Sequence, residues 1–303
     1  MNEIKQNSPY AWFLAARPKT LTGAIIPVLL GSALAFSDGQ FKTAPALLCA
    51  LFACGMQIAA NFINDLFDFQ KGTDRREDRL GPQRACAEGW ITPAAMKTGI
   101  GIALTLSCLA GLAVLFTVWG QLPHGGWELV VLDVVCILFA FLYTTLLSYR
   151  GWGDVLVLVF FGFVPVCGTY YVQAYTLNMD VVVLSLVSGL AIDTLLMVNN
   201  YRDREQDAVS GKCTLVVRYG KKFGENMYLA LGIAAVLLCF WFVYTGKLTP
   251  LEFIWAPCVY LYMHALTWRK MIQIGSGKKL NSILGETSRN MLFLGLLLAV
   301  ALN

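Results

Sequence analysis

The chain has 303 residues, 57% of them hydrophobic and 14% charged, with a formal charge of +4. Soluble domains carry about 25% charged residues, so this composition excludes an ordinary soluble protein and indicates a multi-pass membrane bundle. The small net charge gives nucleic acid no footing. The nine cysteines form no CxxC pair and His124 and His264 stand alone, so neither a disulfide framework nor a zinc site is expected.

Spans are marked by runs of roughly 20 apolar residues. The first, Leu21–Phe36, follows a polar start without a cleavage site and reads as a retained span rather than a signal peptide. Ala44–Phe67 follows and ends in an Asn/Asp cluster, and then come Gly99–Trp119, Trp127–Leu147 and Val155–Tyr175. Val181–Asn200 ends in a second such cluster, and Met227–Thr245, Phe253–Trp268 and Leu284–Leu302 complete the chain. The expected fold is therefore all-α, a nine-helix membrane bundle forming a single domain over residues 1–303.

Lysines and arginines orient it. With the N-terminus cytoplasmic, all but Lys42 and Lys247 of the 23 basic residues fall on the cytoplasmic side, as the positive-inside rule requires. The two long polar loops, after the second and sixth helices, then share that face and mark it as the expected site.

The first cluster reads NFINDLFDFQKGTD, from Asn61 to Asp74, and Gln57, Asn61, Asn64, Asp65 and Asp68 share one helical face. The second reads NNYRDREQD, where Asn200, Asp203 and Asp207 share a face with Asp193 deeper in the same helix. Asp193 is expected to point into the site and pair with a polar group, and Asp133 is the other acid at membrane depth. Carboxylates four residues apart on a helix suit Mg²⁺, which binds through one or two carboxylates, water and phosphate oxygens. Arg75, Arg76, Arg79, Arg84, Arg202 and Lys212 supply cations for the phosphates. The bland alternative, solvated helix ends with i,i+4 ion pairs, accounts for one such cluster better than for two on one face.

These residues resemble the UbiA superfamily of membrane prenyltransferases, whose first motif is NDxxDxxxD. Asn64, Asp65 and Asp68 match it, whereas its last Asp position holds Gly72, with Asp74 two residues later. The form NDxxDxxxGxD, continued by Arg79, Gly81, Pro82 and Arg84, resembles the branch that prenylates 1,4-dihydroxy-2-naphthoate. So do NNYRDREQD running into Lys212, the opening around Arg17 to Leu21, and YRGWGD at Tyr149–Asp154; the likeness covers about residues 10–223.

The resemblance implies that Asn64, Asp68, Asp203 and Asp207 hold the Mg²⁺–diphosphate with Asp65 and Asn200 close by, the metal carboxylates being Asp65, Asp68, Asp203 and Asp207. Substrate contacts are expected from Arg17, Asn61, Asp74, Arg79, Arg84, Tyr143, Arg150, Asn200, Arg202 and Lys212. Tyr143, Tyr170, Tyr171 and Tyr201 are the aromatic faces available to an allylic cation. The implied activity transfers a polyprenyl chain from its diphosphate to 1,4-dihydroxy-2-naphthoate with decarboxylation, in the cytoplasmic (inner) membrane, with lipid bilayer as surroundings and no nucleic acid. The alternatives are another aromatic acceptor such as 4-hydroxybenzoate, or a secondary transporter, which would place its polar groups nearer the midplane.

Overall fold

The computed structural model describes residues 4–72 and 79–303, with only the backbone at Thr144 and Thr145; Asp74, Arg75 and Arg76 lie outside the described residues. Among those described there is no strand. The helices are α1 (Pro9–Ala16), α2 (Thr22–Ser37), α3 (Thr43–Gln70), α4 (Pro93–Thr117), α5 (Trp127–Leu142), α6 (Gly153–Val157), α7 (Val164–Ala174) and α8 (Met179–Val209). They continue as α9 (Leu215–Tyr219), α10 (Lys221–Tyr244), α11 (Pro250–Phe253), α12 (Val259–Ile274) and α13 (Leu280–Ala301).

Six helices among the described residues are long and apolar enough to cross a membrane, or seven if the pair Pro9–Thr20 and Thr22–Ser37, bent by 50°, counts as one span. The expected nine are not all continuous spans. The α5 and α12 helices are 16 residues each, because π turns at Tyr143–Leu147 and Ile254–Cys258 interrupt the regular ladder, the second around Pro257. A third π turn, Leu158–Phe163, joins α6 to α7 within one apolar stretch, Gly153–Ala174.

The α8 helix is the axis of the bundle. Its apolar window is 72% buried inside the protein, against 28–39% for the other candidate spans, whose outer faces carry exposed Leu, Val and Phe suited to lipid. Small residues let neighbours approach it. A Cβ at Gly162 would meet the Ser185 carbonyl at 2.5 Å, so the π turn packs directly on the α8 backbone. The helix also runs nine residues beyond the apolar run Val181–Asn200 expected from sequence, so the second polar cluster is helical throughout.

The α3 helix likewise extends to Gln70 and stops at Gly72, which takes φ +67° and donates its N–H to the Phe69 carbonyl at 3.1 Å. A left-handed residue there ends the helix, which favours glycine at the position where the family motif has its last Asp.

Candidate active site

The ends of α3 and α8 meet the loop 79–92 and the turn after α5 at one end of the bundle. Asp65 organises the loop. It is 1% exposed, and its two oxygens accept from the backbone N–H of Ala85 (2.8 Å) and Cys86 (2.9 Å), with Arg17 Nη2 at 3.8 Å. The carboxylate offered to a metal by sequence is thus committed to backbone donors, and its geometry is that of a loop anchor.

Asn61 is placed similarly. Its buried amide donates to the Ala16 carbonyl (3.0 Å) and Thr20 Oγ1 (2.9 Å), pinning the kink between α1 and α2 at which Arg17 takes φ +52°. One turn of α3 away, Asn64 lines the internal cavity.

Asp68 carries Arg84 at 3.7 Å and Asp207 carries Lys212 at 3.8 Å. Both Asp203 oxygens take hydrogen bonds from Arg202, Nε to Oδ1 at 2.7 Å and Nη2 to Oδ2 at 2.5 Å. Arg202 itself is 4% exposed, and its remaining Nη1 donates to Asn281 Oδ1 at 2.9 Å. It therefore orients Asp203. Arg79 donates to the Pro82 carbonyl and lies within electrostatic reach of Arg17, Asp203, Arg202 and Asp68. Burial first, and the neighbouring Arg17 next, lower the Arg79 pKa to about 10, so it remains charged at neutral pH.

Across the site, Lys71 lies over the Tyr149 ring at 4.1 Å, and the Cys213 N–H donates to the Tyr149 carbonyl at 3.0 Å. These contacts tie the turn carrying Arg150, which is exposed, to α3 and to the segment after α8.

Inward from the charged end lies a cavity of about 340 Å³ between α2, α3, α5, α7 and α8. Gln57, Asn64, Tyr143 and Asn199 line it near the charged residues, and Cys49, Leu129, Asp133 and Val172 line it farther in. From Asn64 to Cys49 is 15 residues of α3, about 22 Å at the helical rise. The remainder of the lining is largely aliphatic and phenylalanine.

Two residues marked by sequence lie elsewhere. Asn200 is buried beside the lining, and it is Asn199, passed over in the sequence, that faces the cavity; its spacing of four from Asp203 is the signal that locates it. Asp193 is also off the cavity. The lining face of α8 is Ile192, Leu195, Leu196 and Asn199, and Asp193 is rotated about 100° from Ile192, buried, with Oδ1 unpartnered among the described residues. Of the four tyrosines only Tyr143 lines the cavity. Tyr170 donates to Asp38, Tyr171 to Glu128 and Tyr201 to Glu225.

No three His, Cys, Asp or Glu among the described residues stand close enough to hold a metal unaided. Asp68, Asp203 and Asp207 are instead hard oxygen donors, each beside a cation, and this set fits a dication that arrives with phosphate oxygens as further ligands.

The sequence profile of the UbiA prenyltransferase family matches residues 24–282. The 1,4-dihydroxy-2-naphthoate octaprenyltransferase of Escherichia coli (strain K12) is 37% identical over 242 residues, covering 79% of this chain and 78% of that protein. The enzyme of the same description from Mycobacterium leprae is 33% identical over 301 residues and 96% of both chains. Among solved structures, a UbiA homolog from Aeropyrum pernix K1 superposes with TM-score 0.69 at 15% identity, covering 94% of this chain and 97% of that one. A homolog from Archaeoglobus fulgidus bound to DMAPP and Mg²⁺ gives 0.63 at 14% identity, covering 95% and 99%. At such identities these two likenesses show the fold alone.

Proposed function

The chain belongs to the UbiA prenyltransferase family, and from that premise we propose that it transfers a polyprenyl chain from its diphosphate to 1,4-dihydroxy-2-naphthoate in menaquinone biosynthesis. One structural observation carries the donor: a cluster of carboxylates and cations opens onto an apolar cavity that runs deep into the bundle. That shape suits a molecule with a diphosphate head and a hydrocarbon tail. The acceptor rests on the relatives from E. coli and M. leprae, matched over most of their length.

In this reading Asp68, Asp203 and Asp207 hold Mg²⁺ with the diphosphate. Bound there, the metal neutralises charge on the departing phosphate oxygens. Arg79, Arg84 and Lys212 flank the same oxygens, Arg202 orients Asp203, and Arg17 and Asp65 set the loop that brings Arg84 in. Asn64 and Asn199 stand where the head meets the tail, and Tyr143 offers its ring to the allylic cation. The C–O bond at the allylic carbon breaks with its electron pair leaving on diphosphate. A new C–C bond forms from the ring carbon that bears the carboxylate. Loss of CO₂ returns its bonding pair to the ring and restores aromaticity, giving the quinol form of demethylmenaquinone. Apolar walls keep water from intercepting the cation.

The protein is a multi-pass membrane protein. We place it in the cytoplasmic membrane as one domain of nine crossings, the interrupted α5 and α11–α12 segments included, with its N-terminus and site cytoplasmic. All but Lys42 and Lys247 of the basic residues support that orientation. The test offers purified protein the naphthoate and 4-hydroxybenzoate acceptors with one polyprenyl diphosphate. Preference for naphthoate with release of CO₂ is expected; preference for hydroxybenzoate with its carboxyl retained overturns the acceptor.

A further inference from the structure

The α5 helix contributes a carboxylate to a cavity wall that is otherwise mostly hydrocarbon. Asp133 lies ten residues before Tyr143, so about 15 Å from the charged end along the helix. Leu129, Leu132 and Cys136 line the same wall, and so does Gly111 of α4. The backbone of α4 gives the carboxylate room, because a Cβ at Gly111 would stand 2.2 Å from Asp133 Oδ2. Among the described residues Asp133 has no hydrogen bond or ion pair, and the thiols of Cys49 and Cys136 lie within its electrostatic reach. A position that needed only filling would be served by leucine, as at Leu129 and Leu132.

We infer that Asp133 is a specificity-determining residue that marks off how much of a prenyl tail the cavity accepts without penalty. The inference rests on the donor reading above. With no protein donor, the carboxyl oxygens need water, and a hydrocarbon drawn against them displaces it. An extended isoprene unit spans roughly 4.5 Å by covalent geometry, so about three units fill the stretch from Tyr143 to Asp133. Shorter tails stop before the carboxyl. Longer ones lie against it, and burying a polar group without a partner weakens binding by roughly tenfold or more.

The experiment measures kcat/KM for donors of two, three, four and eight isoprene units, with one acceptor, in the wild type, Asp133→Leu and Asp133→Asn. The expected result is that Asp133→Leu raises the ratio of the four- and eight-unit values to the two-unit value about tenfold, through KM. Asp133→Asn, still polar, keeps the wild-type ratio. If Asp133→Leu does not survive purification, Asp133→Met provides the same apolar comparison. Turnover with unchanged ratios in the apolar variants overturns the inference, as does an equal rise in Asp133→Asn. A wild type that turns over none of the donors fails the donor reading instead.

Discussion

Asn281, at the start of α13, holds Arg202 from the side opposite Asp203. Its Oδ1 accepts from Arg202 Nη1 at 2.9 Å, while its Nδ2 donates to the Leu80 carbonyl at 2.8 Å. One amide thus joins the last helix to α8 and to the loop bearing Arg79 and Arg84. A Cβ at Gly81 would come within 2.9 Å of Arg202 Nη2, so loop and guanidinium are in close contact.

Replacing Asn281 by Ala leaves Arg202 short of an acceptor and the loop short of a donor. Hydrogen bonds to charged groups contribute about 1.5–3 kcal/mol, which corresponds to roughly a 10- to 100-fold loss in kcat/KM if Asp203 is mispositioned. The loss is expected mainly in KM for the prenyl diphosphate, with partial rescue by Asn281→Gln. An unchanged KM with altered stability alone would reduce Asn281 to packing.

Asp65 and Asp68 are three residues apart and are expected to respond differently. Asp68→Asn and Asp203→Asn remove formal charge from the proposed diphosphate site and are expected to abolish turnover with insertion intact. Asp65→Ala removes the acceptor for two backbone N–H groups and frees the loop. Cys86 is 4% exposed in the intact protein, so maleimide labelling of Cys86, with Cys213 replaced, should rise several-fold in Asp65→Ala and not in Asp68→Asn. Equal labelling in all three would show that Asp65 does not anchor the loop.

The contrast shows what the sequence could carry. The all-helical, multi-span character and the two polar helix ends were legible because apolar runs and i,i+4 acids are local patterns, whereas the count of nine was not matched by the six or seven long apolar helices among the described residues. The loop contacts of Asp65 were not legible, because its partners there are backbone N–H groups, which every residue has and no sequence distinguishes. Asn281 was missed because it is 79 positions from Arg202 and carries no local signature. The choice between Asn199 and Asn200 turned on 100° of helix rotation, which the full lining face of α8 decides.

At the other end of the bundle Lys247 forms a short ion pair with Asp38, which also accepts from Tyr170 at 2.6 Å and Asn178 at 3.4 Å. Burial alone would raise the Asp38 pKa, but the hydrogen bonds from Lys247, Tyr170 and Asn178 outweigh it and hold the carboxyl below its ordinary range. A depressed folded pKa means stability that is present above the unfolded value and lost as pH falls through the folded one. Thermal unfolding in detergent should therefore show a midpoint that falls below about pH 4. Lys247→Ala is expected to cost about 2 kcal/mol at neutral pH, less than a fully buried pair because both groups are about a fifth exposed, and to flatten that acid slope. The same slope in both proteins would remove Asp38 as its source.

The naphthoate carboxylate needs a cationic partner, and the three arginines Arg79, Arg84 and Arg150 near the charged end have different surroundings. Arg84 stands beside Asp68, and Arg79 donates to Pro82 within reach of Asp68 and Asp203. Both stand beside the carboxylates proposed to hold the diphosphate. Arg150 is exposed on the turn seven residues after the cavity-lining Tyr143, and among the described residues it has no hydrogen bond or ion pair. A guanidinium in that position can meet a carboxylate in two parallel hydrogen bonds, which a lysine ammonium cannot reproduce. Arg150→Ala is expected to raise KM for the naphthoate acceptor about 10- to 100-fold while leaving KM for the prenyl diphosphate within about twofold, as loss of one charge-assisted pair implies. Arg150→Lys should recover only part of the difference. The same two constants measured for Arg84→Ala should show the reverse pattern. If Arg150→Ala instead raises KM for the diphosphate, the cation belongs to the donor and the acceptor carboxylate is held elsewhere.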